Sequence, residues 1–183
     1  GAVEVRLRLG FVYLRQNRPD RAVALMQGAA RLPPEGYLLM SHAFQRLDRT
    51  ADAARSLAQA EEAATQAKRQ EFFTVDFYLL YATVCEEMGL TDRAIEKIQQ
   101  ALELDPKDPQ IANFMGYVLA DHDRDLDAAE QWIRAALAAR REPGDNPYNA
   151  VERALQQLGQ IIDSIHNLNL DPAGFSTRER RWQ

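Results

Sequence analysis

The chain has 183 residues, of which 46% are hydrophobic, and it carries a formal net charge of −5. This length allows one or two domains with a sizeable core, and no apolar run of about eighteen residues is present for a membrane-spanning helix. The single cysteine excludes an internal disulfide framework and a CxxC zinc motif. An acidic total without a basic stripe argues against a nucleic-acid partner, because phosphate binding depends on clustered Lys and Arg side chains.

The charges are distributed unevenly along the chain. Residues 1–70 contain 11 basic and 7 acidic side chains, whereas residues 71–147 contain 7 basic and 16 acidic ones. The first part of the sequence is therefore basic and the second acidic, so we expect a surface whose two ends differ in sign.

The first predicted element begins next to the N-terminus. Here Val3, Val5, Leu7, Leu9 and Phe11 alternate with polar residues, a pattern that is typical of a half-buried strand. We nevertheless predict a helix, because the landmarks of a repeated helical pattern continue without a break through this segment.

Four segments share these landmarks: an apolar residue before a small one, an aromatic or apolar residue three positions later, then an Ala, a large apolar residue and a second Ala. In chain order the landmarks are Leu9, Gly10, Tyr13, Ala22, Met26 and Ala29; Met40, Ser41, Phe44, Ala53, Leu57 and Ala60; Tyr81, Ala82, Cys85, Ala94, Ile98 and Ala101; and Met115, Gly116, Leu119, Ala129, Ile133 and Ala136. The small residues at 10, 41, 82 and 116 are spaced by 31, 41 and 34 positions. Each segment is predicted to form two helices joined by a tight turn, because small residues let helices cross closely.

These landmarks predict four hairpins, at about 3–36, 34–70, 75–108 and 109–143. The second hairpin lacks a closing proline and should have the longest helix, reaching about Lys68, while the turn of the fourth has one inserted residue. Pro19 fits the first position of a helix, and Thr50, Thr91 and Asp125 are placed to cap second helices.

The C-terminal part follows a break at residues 143–147 that is rich in proline and glycine. Residues 148–166 have apolar side chains at helical spacing and are predicted to form a capping helix, with a polar tail at 167–183. We expect one structural domain overall. The lone Gly1 before structured sequence suggests a piece excised from a longer protein.

The repeated pattern resembles the tetratricopeptide repeat. The run NFMGYVLAD at 113–121 is also similar to segments of bacterial tetratricopeptide scaffold and envelope proteins. The resemblance implies an all-α solenoid of stacked hairpins and a non-catalytic scaffold that binds a protein or peptide. Homo-oligomerisation, as in a homodimer, and a regulatory arm of a larger bacterial protein remain alternatives, and the compartment stays open between bacterial cytoplasm and periplasm or cell envelope.

The family resemblance implies a concave groove lined by fixed positions of each first helix. Those positions hold Leu7, Phe11, Arg15, Leu38, His42, Arg46, Leu79, Thr83, Glu86, Glu87, Asn113, Tyr117 and Asp121, which we call the groove residues. Basic side chains stand at one end of this set and acidic ones at the other, an arrangement that would orient a bound peptide. The carboxylate clamp of chaperone-binding repeats is absent, because Leu7 and Phe11 occupy the places of its Lys and Asn.

The acidic turn at 121–127 is the nearest approach to a metal site, with four Asp residues around His122. A calcium loop that begins at Asp121 would need Gly at its sixth position and Glu at its twelfth, where this sequence has Leu126 and Trp132. We therefore predict that no metal is bound and that the carboxylates favour the following helix.

The sequence contains no arrangement that indicates catalysis. Cys85 is expected inside a hairpin, and His42, His122 and His166 lie in different parts of the chain. Because the GxxxxGKS/T, HExxH and GxSxG motifs are also missing, we predict neither a catalytic site nor a bound cofactor.

Overall fold

The computed structural model describes residues 2–29 and 31–139, and these residues form eight α-helices. The helices are α1 Ala2–Arg15, α2 Pro19–Gln27, α3 Pro34–Gln45, α4 Thr50–Gln66, α5 Val75–Glu87, α6 Thr91–Leu104, α7 Pro109–Asp121 and α8 Leu126–Ala139, and a 3₁₀ turn, Gln70–Phe72, lies between α4 and α5. The helical α1 confirms that the alternating pattern at the N-terminus is not a strand, and no strand occurs in the described ranges. Within those ranges, no helix is long and apolar enough to cross a membrane.

The helices form four hairpins, each packed on the next. Helix α1 pairs with α2, α3 with α4, α5 with α6 and α7 with α8, and successive hairpins meet through α2 and α3, α4 and α5, and α6 and α7. This confirms the all-α solenoid. Helix α4, with 17 residues, is the longest of the eight, also as predicted. The predicted capping helix at 148–166 and the tail lie outside the described residues.

The four hairpin turns share one backbone conformation. Each contains one residue in the left-handed region: Asn17, Asp48, Gly89 and Asp123, with φ values of 54°, 55°, 69° and 49°. In each turn the next backbone N–H donates to the carbonyl five residues earlier, at 2.9–3.0 Å, which closes the preceding helix as a Schellman motif does. These residues are spaced by 31, 41 and 34 positions, so the turns recur with the same spacing as the small landmarks.

The starts of the second helices correct part of the capping prediction. Asp125 caps α8 as expected, because its Oδ1 accepts the Ala128 N–H at 2.9 Å. Thr50 and Thr91 are instead the first residues inside α4 and α6, and neither helix has a side-chain cap. The turns before α4 and α6 have a single residue between the left-handed position and the helix, whereas the inserted residue after Asp123 leaves room for a capping side chain.

The core lies where the two helices of each hairpin cross. The small landmarks of the second helices are almost fully buried, and so are large side chains beside them: Ala22, Ala53, Ala94, Ala129, Met26, Leu57 and Ile98. At Gly116 the crossing is so close that a Cβ atom would lie 2.6 Å from Cγ1 of Ile133. Small residues therefore set the distance between helices, as the repeat pattern predicted.

The junction between the second and third hairpins differs from the others. Here α4 and α5 contact each other less than the other neighbouring hairpins do. A buried cation crosses the junction: the Lys97 ammonium, 3% exposed, donates to Glu61 Oε1 at 2.7 Å and lies 5.1 Å from the centre of the Tyr81 ring. Burial raises the pKa of the Tyr81 phenol to about 12, and this phenol accepts a hydrogen bond from Arg93 at 2.7 Å.

Candidate peptide-binding face

The ends of α1 and α3 meet at the basic end of the predicted groove. Arg46 reaches from the end of α3 and donates to the backbone carbonyl of Leu14 in the last turn of α1, which also accepts the Asn17 N–H at 3.1 Å. Arg15, the last residue of α1, is exposed. Burial and the Arg46 charge lower the pKa of the His42 imidazole. Arg46 thus connects two hairpins next to the end of α1, where Arg15 is exposed.

The apolar groove residues separate into two groups. Leu7, Leu38 and Leu79 are half-buried and pack against the core. In contrast, Phe11 and Tyr117 are 52% and 50% exposed. The two aromatic side chains therefore offer most of the apolar surface that this set of residues presents to a ligand.

The acidic end of the set lies where α5 and α7 end. Asp121 and Glu86 together raise the pKa of the Tyr117 phenol, with Asp121 as the larger influence. The His122 ring also lies here, with Nε2 3.6 Å from Glu86 Oε1 and 4.0 Å from Asp121 Oδ2. Two carboxylates, a phenol and an imidazole from neighbouring repeats thus form one acidic cluster.

The remaining groove residues stand apart from these contacts. Thr83 donates its hydroxyl to the Leu79 carbonyl at 2.9 Å, while Glu87 and Asn113 are exposed. In the described part of the chain, no hydrogen bond or ion pair joins a groove residue of α3 to one of α5. The basic and the acidic ends are thus held by separate sets of contacts.

His122 makes a contact that the sequence did not predict. It lies in the acidic turn with Asp123, Asp125 and Asp127, at the C-cap of α7, and its ring faces Glu86 of the preceding repeat. The register gave only a coarse signal, because Glu86 lies three residues before the left-handed Gly89 and His122 one residue before the left-handed Asp123, so both are near the first-helix ends of consecutive repeats. Stacked repeats bring such positions together.

Cys85 is placed as predicted, inside the third hairpin. Its side chain is 1% exposed, and burial raises the pKa of the thiol. A protonated, shielded thiol is a poor nucleophile, so the residue acts in packing.

Four hairpins with one turn geometry define an α-solenoid of helical repeats. The sequence model of one such family, the tetratricopeptide repeat, matches residues 8–166. The chain belongs to the tetratricopeptide repeat family, whose members bind protein partners, and its general function is that of a protein-interaction scaffold.

Solved structures with the same fold include those of MamA. A crystal structure of MamA is 23% identical, with a TM-score of 0.64 over 75% of this chain and 77% of that one. A second MamA structure, designated AMB-1, is 18% identical, with a TM-score of 0.64 over 84% of this chain and 78% of that one. Among curated proteins, no sequence relative matches the chain. At these identities the likeness to MamA shows the fold alone.

Proposed function

We propose that the protein binds an extended or helical segment of a partner protein along the first helices of its repeats, α1, α3, α5 and α7. The observation that carries the proposal is the pair of half-exposed aromatic side chains, Phe11 and Tyr117, on the first and last of these helices. Aromatic side chains dominate the energy of many interfaces, because they bury a large apolar area at a low cost in conformational entropy.

The charged groove residues give the proposed segment a direction. Arg15 is exposed at the end of α1, while Glu86, Glu87 and Asp121 lie at the ends of α5 and α7. A segment with acidic residues near one end and basic residues near the other would be attracted in one orientation. We assign the contact with the acidic residues of the bound segment to Arg15, because Arg46 already donates to the Leu14 carbonyl.

Peptide selection tests this proposal. A random peptide library would be selected on the immobilised chain, and affinities would be measured by fluorescence anisotropy at several salt concentrations. We expect Phe11→Ala and Tyr117→Ala each to weaken binding by about tenfold or more, as at an interface hot spot. Added salt should also weaken binding, because exposed charges are screened.

Leu104→Ala is the matched control, because Leu104 is 51% exposed but lies on the second helix α6. Its affinity for the selected peptides should equal that of the wild type. Peptides that bind Phe11→Ala and Tyr117→Ala as tightly as the wild type would show that another surface is used.

A second candidate function is self-association through α1. Val5, Leu9 and Val12 are spaced as neighbours on one helix face and are 65%, 39% and 45% exposed. Light scattering at several concentrations would detect the dimer, which Val5→Lys and Val12→Lys should abolish. A chain that stays monomeric at all concentrations would exclude this function.

A further inference from the structure

Three side chains that commonly ligate metals come together from two neighbouring repeats. Glu86 lies near the end of α5, Asp121 is the last residue of α7, and His122 follows it at the C-cap. One ligand atom of each lies within 4.8 Å of the other two. Ligand atoms around a tetrahedral zinc ion stand roughly 3.4 Å apart, given bonds of about 2.0–2.2 Å. The separations of 3.6 and 4.0 Å between His122 Nε2 and the two carboxylates are close to that distance.

A second, independent observation is that a ring nitrogen of His122 lacks a hydrogen-bond partner. Its Nε2 atom is shielded from solvent and has no hydrogen-bond partner, while the side chain as a whole is 26% exposed. If Nε2 carries a proton, the nearer of the two carboxylates, at 3.6 Å, is too far for a hydrogen bond. If Nε2 carries a lone pair, that lone pair faces two carboxylates. A buried polar atom without a partner is costly in either state, and an ion would satisfy it.

We propose that Glu86, Asp121 and His122 bind one divalent transition-metal ion, for which Zn²⁺ is the best match. Two carboxylates balance the charge of such an ion, and a neutral imidazole completes three protein ligands. An imidazole ligand favours zinc and its neighbours over Ca²⁺ and Mg²⁺, which prefer oxygen. The Asp121 side chain is 51% exposed, so an ion has access and water can occupy the fourth position.

The proposal revises the sequence prediction that the acidic turn binds no metal, because Asp121 and His122 of this turn meet Glu86 of the preceding repeat. The other carboxylates of the turn belong to a different arrangement. Asp125 accepts the Ala128 N–H and caps α8, and Asp123 and Asp127 are outside the three-residue cluster. The turn also lacks the Gly and the bidentate Glu of a calcium loop. The proposed site therefore bridges the third and fourth repeats instead of lying within one loop.

Titration of the full chain with ZnCl₂ by isothermal calorimetry tests the site, and Co²⁺ absorption reports on the coordination. One Zn²⁺ per chain is expected, with visible Co²⁺ bands that indicate tetrahedral or five-fold coordination. Glu86→Gln, Asp121→Asn and His122→Gln should each weaken Zn²⁺ binding at least about tenfold, because each removes a direct ligand. Circular dichroism of the metal-free variants would confirm that they remain helical.

Two matched controls keep the test specific. Asp123→Asn alters a neighbouring carboxylate in the same turn, at a left-handed position that Asn tolerates, and His42→Gln removes a histidine from another repeat. Both should bind Zn²⁺ as tightly as the wild type. The proposal is overturned if no Zn²⁺ binds at about 0.1 mM, a concentration far above the dissociation constant of a specific site. It is also overturned if His122→Gln binds Zn²⁺ as tightly as the wild type, or if Asp123→Asn loses as much affinity as the ligand variants.

Discussion

Small residues determine how closely the helices of this protein approach, and their surroundings differ from one repeat to another. At Gly116 an added Cβ atom would lie 2.6 Å from Ile133 Cγ1 and 3.0 Å from the backbone oxygen of Ala129. At Gly10 the nearest atom would be Leu39 Cδ1 at 2.9 Å, the far end of a flexible side chain. The fourth repeat therefore has less freedom to accept a larger residue than the first.

Because of this difference, Gly116→Ala and Gly10→Ala form a matched pair of variants. We expect Gly116→Ala to destabilise the protein by about 1–3 kcal/mol relative to Gly10→Ala, since the helix backbone of α8 cannot move aside as a side chain can. The gain in helix propensity, about 1 kcal/mol, is common to both variants and cancels. Urea unfolding would measure the difference. Equal stability of the two variants would show that α8 adapts to the extra methyl group.

His42 predicts a pH effect whose sign follows from its surroundings. Burial, and then the Arg46 charge, lower its pKa below the usual 6.5 in the folded protein. The folded state thus favours the neutral ring. The contribution of His42 to stability is therefore complete above the unfolded-state pKa of about 6.5, and it is lost as the pH falls through the lower folded-state pKa. Between about pH 7.5 and pH 5, wild type should lose more stability than His42→Gln. Melting temperatures that fall equally in wild type and His42→Gln over this pH range would contradict the prediction.

Most of the helices could be predicted from the sequence, because their positions depend on local patterns. The landmarks around Gly10, Ser41, Ala82 and Gly116 predicted the hairpins, and the spacing between them predicted the length of α4. The burial of Lys97 could not be predicted in this way. A lysine in an amphipathic helix normally lies in water, and the acceptor that Glu61 of α4 adds to Glu96 and Gln100 of its own helix depends on packing between hairpins.

The ion pair across this junction should contribute measurably to stability. Glu61→Ala leaves the buried Lys97 ammonium with Glu96 and Gln100 as its remaining acceptors, so we expect a loss of about 1–3 kcal/mol. Glu62→Ala is the control: Glu62 is exposed and accepts only from Gln66 within its own helix. It should change stability by less than about 0.5 kcal/mol. Urea unfolding followed by far-UV circular dichroism, which reports on all the helices, would compare them, and equal effects would show that the pair contributes nothing.

At the scale of the whole molecule, the register predicts which side chains share a face but not which contacts join the repeats. It placed Arg15 and Arg46 at one end and Glu86 and Asp121 at the other. It did not reveal that Arg46 is bonded to α1, nor that His122 faces Glu86. Such contacts depend on how far long side chains reach between hairpins, which the pattern of one sequence does not specify.

The junction between the second and third repeats is where the solenoid should first lose cooperativity. The stability of a repeat protein is approximately the sum of its repeats and of the interfaces between neighbours, and α4 and α5 make the weakest of these interfaces. Glu61→Ala also removes the Lys97 ion pair that crosses it. We therefore expect this variant to unfold its two halves separately.

Two probes can detect that separation. Trp132 lies in α8 and reports on the second half once Trp182→Phe has removed the other tryptophan, whereas far-UV circular dichroism reports on all the helices. In the Trp182→Phe background the two urea curves should coincide, as they do for a cooperative transition. With Glu61→Ala they should diverge, and with Glu62→Ala they should still coincide. If the two curves still coincide in Glu61→Ala, the Lys97 ion pair is not what couples the two halves. Other contacts between neighbouring repeats would then maintain the cooperativity.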